Sequence, residues 1–249
     1  MGQRPLEGRH ALVTGAGRGL GRASALALAD AGAAVTLMSR SEDELAEVAE
    51  GIERAGGTAI VRACDVIREE RVESALAAMP AHDILVNSAG SNQPEPFVDV
   101  EATTFDQIFS LNVRAAFMVT QLVVRRLIAA ERPGVVINIS SQMGHVGAAN
   151  RSVYCATKHA LEGLTKALGV ELAPHGIRVV SVAPTFVDTP MTRPFFQQPA
   201  FRDEVLDSIP LGRLGTPQEV AAAVVFLAGP NAAMITGSSL LVDGGWTAK

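Results

Sequence analysis

The chain has 249 residues, enough for one large α/β domain or two small ones around a substantial core. Hydrophobic residues make up 48% and aromatics 4%, so that core must be aliphatic. A net charge of −5 gives no basic footprint for nucleic acid, and no apolar stretch approaches the ~20 residues of a membrane span.

The longest apolar run, 220–228, is far too short to cross a bilayer. The start, Met1 to Gly8, lacks the apolar core of a signal peptide. Cys64 and Cys155 form no close-spaced motif, and the five histidines show no His-Glu-x-x-His pattern. A reducing cytoplasm and no metal site are therefore expected. No repeat, low-complexity tract or linker divides the chain, so residues 1–249 are expected to form a single domain.

Apolar runs of strand length alternate with helical patterns. Residues 10–14 come first, followed by Ala23, Leu26, Ala27 and Ala31 at helical spacing. Runs at 34–39, 59–63, 84–87 and 135–139 follow. Ala160, Leu161, Leu164, Leu168 and Leu172 mark a further helix before runs at 179–183 and 239–242. Each run is apolar at successive positions, as in strands buried on both faces. Seven strands with intervening helices predict one doubly wound parallel sheet, with ligands at the carboxyl ends of its strands.

The first strand runs into Thr14-Gly15-Ala16-Gly17-Arg18-Gly19-Leu20-Gly21, a glycine-rich turn that opens a helix. Glycines allow a tight turn and close backbone approach, and a helix N-terminus offers amide donors, so this is a candidate pyrophosphate cradle. The same turn could be purely structural. Tyr154 is the only tyrosine, and Lys158 lies four positions after it. On a helix they share a face, roughly 6 Å apart along the axis. An ammonium beside a phenol lowers its pKa from about 10, which suits a proton donor and acceptor. Taken alone, the pair also fits a packed tyrosine beside a solvated lysine. Asn112 alone also fits a helix N-cap, and Ser141 a loop hydroxyl satisfying backbone.

Taken together, Thr14-Gly-x-x-x-Gly-x-Gly21, Asn87-Ser88-Ala89-Gly90, Asn112, Ser141 and Tyr154-x-x-x-Lys158 are similar in order and spacing to the short-chain dehydrogenase/reductases. The similarity runs essentially to the terminal Leu241-Val242-Asp243-Gly244-Gly245-Trp246. The resemblance implies a Rossmann-type fold, a nicotinamide coenzyme and hydride transfer between alcohol and carbonyl. By position it implies that Ser141 holds the carbonyl oxygen and Tyr154 donates the proton. It implies that Lys158 depresses the tyrosine pKa and binds the nicotinamide ribose, while Asn112 holds a water linking Lys158 to solvent. Ser141 is favoured over Ser140 because the family's serine lies thirteen residues before the tyrosine and three before a glycine, here Gly144. Gly15, Arg18, Gly19, Leu20 and Gly21 would cradle the coenzyme. Asn87, Ala89 and Gly90 would border its adenosine side, and Asp65 and Val66 would contact adenine. Val187 and Thr189 match positions that contact the carboxamide. Ser88 replaces the family's usual asparagine and Thr185 its usual glycine.

NAD-preferring relatives place an acid where Ser39 stands, which binds the ribose hydroxyls and repels a 2′-phosphate. Here Ser39 is followed by Arg40, and Arg18 precedes the second motif glycine, which predicts NADP(H) over NAD(H) without excluding NAD(H). Both arginines also fit solvated charges.

The segment 186–212 holds four of the nine phenylalanines and four prolines, and is a candidate substrate lid. Gln142 and His145 follow the serine and are weak candidates to face substrate. The expected activity is interconversion of a ketone and a secondary alcohol, as a 3-oxoacyl-thioester or general carbonyl reductase. A sugar or polyol dehydrogenase is the alternative, and a non-catalytic dinucleotide sensor or scaffold the alternative of another class. An acidic acyl carrier would need a basic patch by the pocket, for which Arg125, Arg126 and Arg132 are candidates. No nucleic-acid or membrane partner is expected, and the resemblance implies a homotetramer.

Overall fold

Strands β1 (His10–Thr14), β2 (Ala34–Ser39), β3 (Thr58–Ala63), β4 (Ile84–Asn87), β5 (Gly134–Ile139), β6 (Ile177–Pro184) and β7 (Ser239–Val242) form one parallel sheet in the order β3-β2-β1-β4-β5-β6-β7. This computed structural model describes residues 4–77 and 79–248; Met1, Gly2 and Gln3 of the stretch read for a leader lie outside them. All seven expected strands are present. β3, β5 and β6 extend beyond their apolar runs, because ladder pairing rather than side-chain hydrophobicity sets their ends. Arg178, for example, pairs with Val135 in register while its guanidinium donates to the Leu227 and Ile235 carbonyls.

Helices α1 (Gly19–Asp30), α2 (Glu42–Arg54), α3 (Glu69–Ala77), α4 (Ala102–Phe109), α5 (Ala115–Ala129), α6 (Ser152–Glu171), α7 (Pro199–Ser208) and α8 (Pro217–Ala228) surround the sheet. Strand side chains alternate between its faces. Ala11 and Val13 face a core with Leu28 of α1, Leu45 of α2 and Val224 of α8. Leu12 faces the opposite core with Val72 of α3 and Val123 of α5. Each enclosed valine or leucine contributes about 1.5–3 kcal/mol. This two-sided cover is why the strands read as continuous apolar runs.

A π-helical turn at Ser110–Arg114 continues α4 directly into α5. The continuous helix Ala102–Ala129 spans 28 residues and is long and apolar enough to cross a membrane by length and composition. No unbroken apolar run marks it in the sequence, because Asp106, Arg114, Arg125 and Arg126 interrupt it. Here its apolar residues Ala115, Val119, Val123 and Leu127 pack on the sheet.

A buried polar ladder crosses the sheet. Asn87 Nδ2 donates to Thr120 Oγ1 and to Asn138 Oδ1, each at 2.9 Å, and Asn138 Nδ2 donates to Thr165 Oγ1 at 3.0 Å. It ties β4, β5, α5 and α6 together. At the other end of the strands, Asp83 accepts from His10 N at 2.9 Å and pairs with Arg132.

Candidate active site

The strand order reverses between β1 and β4, and a cleft of about 390 Å³ opens at the carboxyl ends there. One end is lined by Ser39, Arg40 and Arg18, the middle by Gly15, Gly19, Leu20 and Gly21, and the other end by Ser141, Tyr154 and Lys158. Asp65, Val66, Ala89, Gly90, Val187 and Thr189 also line it. Asn87 and Asn112 stand behind this lining.

Glycine is required twice in the cradle. Gly15 has φ +66, and a Cβ there would lie 2.9 Å from Ala89 N; a Cβ on Gly21 would lie 2.1 Å from Gly15 O. Thr14 Oγ1 fixes the adjoining junction by accepting from Ser88 N and Ala89 N at 3.1 and 3.2 Å. Ser88 therefore acts through its amide, which explains why this departure from the family's asparagine leaves the turn intact. Gly19, Leu20 and Gly21 of the first turn of α1, whose amides lie outside the helical ladder, line the cleft.

Asn112 is 1% exposed and sits in the π turn, not at an N-cap. π turns inside α-helices recur at functional sites. Asn112 Oδ1 accepts from Ser91 N at 2.8 Å, while Nδ2 donates to the Ser91 carbonyl and to Thr157 Oγ1. A Cβ on Gly90 would stand 3.3 Å from Asn112 Oδ1 and 4.0 Å from Lys158 Nζ, so glycine leaves space between the two. Lys158 is no surface lysine: it is 6% exposed and donates to the Ile139 carbonyl at 2.9 Å.

Ser141 Oγ donates to Gln142 Oε1 at 2.7 Å and accepts from Met143 N at 3.1 Å. Burial pushes the Tyr154 phenol up to about 12, against opposing contributions from the Ser141 hydrogen bond and from Arg151. The sequence reading had Lys158 lowering that pKa. Here loss of solvent dominates, and Ser141 and Arg151 rather than Lys158 oppose it; the ammonium lies 5.4 Å from the phenol ring centroid. Tyr154 lines the cleft and is half-buried there. Burial also lowers Lys158 to about 8, with Glu162 one turn on acting the other way.

Gln142 and His145 do not line the cleft. Gln142 is 2% exposed and holds Ser141, while His145 Nε2 lies 3.0 Å from Ser239 Oγ and 3.5 Å from the buried Glu162. Glu162 also accepts from Ser181 Oγ at 2.8 Å, joining α6 to β6 and β7. Sequence reasoning passed over Glu162, whose signal was its place four residues after Lys158.

The candidate basic patch is not beside the cleft. Arg126 donates to the Leu76 and Met79 carbonyls and Arg132 pairs with Asp83, at the amino ends of the strands. Both guanidiniums are consumed in holding the fold.

The candidate lid segment 186–212 contains regular structure. Pro199 opens α7, whose Val205 packs with Phe186 and Ile209, and Phe186 sits 5.7–5.8 Å from the rings of Phe196, Phe201 and Trp246. The phenylalanines anchor this segment to its own body.

The donor set fits a dinucleotide. The glycine cradle is one that side chains would fill, the first turn of α1 with its free amides lines it, and Ser140 and Thr185 beside it hold hydroxyls enclosed without hydrogen-bond partners. A doubly wound sheet with this cradle, a tyrosine, a serine and a lysine at one end of the cleft defines a dinucleotide-dependent oxidoreductase. A family profile described as enoyl-(acyl carrier protein) reductase matches residues 15–247. The L-xylulose reductase of Bos taurus is 44% identical over 246 residues, covering 98% of both chains. The 3-oxoacyl-(acyl-carrier-protein) reductase of Vibrio harveyi is 38% identical over 96% of this chain and 98% of its own. The crystal structure of a gluconate 5-dehydrogenase from Burkholderia cenocepacia J2315 in complex with NADP and tartrate superposes with a TM-score of 0.94, at 34% identity over 99% and 98% of the chains. The chain belongs to the short-chain dehydrogenase/reductase family and is an oxidoreductase acting on CH–OH and C=O groups.

Proposed function

We propose that the protein is an NADP(H)-dependent reductase of small oxygenated ketones, interconverting a ketone and a secondary alcohol. The observation that carries this reading is the convergence of Tyr154, Ser141 and Lys158 at one end of a cleft whose other end holds Arg18 and Arg40. When bound, the nicotinamide coenzyme supplies hydride to the carbonyl carbon. Tyr154 donates the proton that the carbonyl oxygen takes up, and Ser141 holds that oxygen as charge develops on it. Lys158 would hold the ribose hydroxyls, and Asn112, across the space left by Gly90, would hold a water linking Lys158 to solvent.

Arg18 and Arg40 would bind the 2′-phosphate, with Ser39 offering no carboxylate to repel it, and the NADP held by the gluconate 5-dehydrogenase supports that choice. Asp65 and Val66 would border adenine, and Val187 and Thr189 the carboxamide. The L-xylulose reductase and gluconate 5-dehydrogenase relatives favour a sugar-sized substrate over an acyl thioester. So does the use of two of the three candidate patch arginines, Arg126 and Arg132, in the fold, which leaves Arg125 of that set free for an acidic carrier.

Residues 186–212 would close over the substrate as a lid. The exposed Phe105, Phe117 and Val170, with Leu240 and Leu241 on the edge strand, support burial of α4, α5, α6 and β7 in a homotetramer. The free thiols Cys64 and Cys155 accord with a reducing compartment. A panel of ketoses, oxo acids, aryl ketones and oxoacyl thioesters, followed by NADPH absorbance, tests the reading. Turnover of small oxygenated ketones supports it; turnover confined to thioesters contradicts it.

A further inference from the structure

Arg151 stands at the N-terminal boundary of α6, three residues before Tyr154, where local chemistry opposes an arginine. An N-cap favours side chains whose oxygen accepts from the helix amides, and arginine has donors only. Its charge also opposes the dipole of a 20-residue helix. The preceding Asn150 holds φ 56, in the left-handed region, so the chain enters the helix through a turn that few residue types adopt. Arg151 is nevertheless 6% exposed, and its Nη1 is enclosed without a hydrogen-bond partner.

The guanidinium lies 4.8 Å from the ring centroid of Phe195 and 5.9 Å from that of Phe201, both in the segment proposed as the lid. Ring faces attract a cation but do not supply acceptor oxygens. No carboxylate among the described residues pairs with it. Glu95, whose amide donates to the Asn150 carbonyl, keeps its own Oε1 enclosed and without a partner. Burial lowers the affinity of Arg151 for its proton, yet a guanidinium stays charged, so an unpaired buried cation persists one helical turn from the proton donor.

We propose that Arg151 binds a carboxylate on the substrate, so that the site takes short oxo acids and hydroxy acids, such as sugar acids, in preference to neutral sugars. The planar fork of a guanidinium matches a carboxylate. A single guanidinium among phenylalanines neutralises one negative charge; a phosphate dianion would leave a net charge enclosed. The two backbones lie one helical turn apart, about 5 Å along the axis, and the Arg151 charge acts on the Tyr154 phenol. Arg151 stands outside the cleft lining beneath Phe195 and Phe201, so a substrate carboxylate reaches it when those two rings move aside. The proposal rests on Tyr154 being the proton donor of a ketone reductase.

The test compares kcat/KM with NADPH for 5-oxogluconate and for fructose, a neutral ketose of the same length, in wild type, Arg151→Gln and Arg151→Lys. Wild type is expected to favour the acid at least tenfold. Arg151→Gln is expected to lose at least tenfold more on the acid than on the ketose, chiefly through KM, and Arg151→Lys to recover part of that loss. Circular dichroism and NADPH binding check the fold of both variants, and the wild-type ratio decides even if a variant does not fold. Equal losses on both substrates, or a wild type that favours the ketose, overturn the proposal while the reductase reading stands. A wild type that reduces neither these nor any other ketone overturns that reading and the proposal with it.

Discussion

Lys158 Nζ donates to the carbonyl oxygen of Ile139 at 2.9 Å, fixing the ammonium at the end of β5, 5.4 Å from the centroid of the Tyr154 ring. Burial has lowered Lys158 to about 8, so its charge is present below that pH and lost above it. Fluorescence titration of NADPH is expected to show affinity falling several-fold between about pH 7 and 9. Glu162 raises the lysine pKa, so Glu162→Gln should move this fall to lower pH. An affinity flat across the range would remove Lys158 from the coenzyme site.

Ser39, Arg18 and Arg40 share the far end of the cleft with Glu44, where a Cβ on Gly17 would lie 2.7 Å from Glu44 Oε2 and 3.3 Å from Ser39 Oγ. Adding a second carboxylate there through Ser39→Asp is expected to shift the kcat/KM ratio of NADPH to NADH toward NADH by about 10- to 100-fold, equivalent to about 1.4–2.8 kcal/mol. Glu44→Gln should shift it the other way. Initial rates with each coenzyme decide, and an unchanged ratio in both variants would place the 2′-phosphate elsewhere.

Asn138 connects Asn87 and Thr165 inside the sheet. Asn138→Ala would strip both of a partner in a dry environment, at a cost of about 2–4 kcal/mol. Urea unfolding should show that loss, and a cost below about 0.5 kcal/mol would mean that water replaces the amide.

His82 is 2% exposed, with Nε2 3.0 Å from Thr36 Oγ1, and burial lowers its pKa from 6.5 to about 4, with Arg126 acting in the same direction. The unfolded chain binds a proton below 6.5 that the folded chain refuses until about 4. Stability from this group is therefore full above pH 6.5 and is lost as pH falls toward 4, by about 3 kcal/mol. Thermal melts should trace that decline, and His82→Gln should flatten it.

The sheet was legible because continuous apolar runs are what a strand covered on both faces requires, and Ala11, Leu12 and Val13 show it by dividing between two cores. The cradle was legible because Gly15 and Gly21 stand where backbone approaches backbone. The electrostatics were not. Nothing in Tyr-x-x-x-Lys reveals that burial would raise the phenol, or that a strand carbonyl would take the ammonium. His145 and Arg126 read as site candidates because spacing carries no direction; Ser239 claims the one, and the carbonyls of Leu76 and Met79 at the end of α3 claim the other. Asn138, Glu162 and Arg151 have no motif of their own, and only packing shows what each faces.

The central claim is proton donation by the Tyr154 hydroxyl, and Tyr154→Phe removes that hydroxyl alone. Single-turnover oxidation of NADPH, with coenzyme binding followed separately by fluorescence, measures its effect most directly. The expected result is a loss of about 10²–10⁴-fold or more in the rate of ketone reduction, with NADPH affinity within about threefold of wild type. A variant that reduces ketone within tenfold of the wild-type rate would contradict the account.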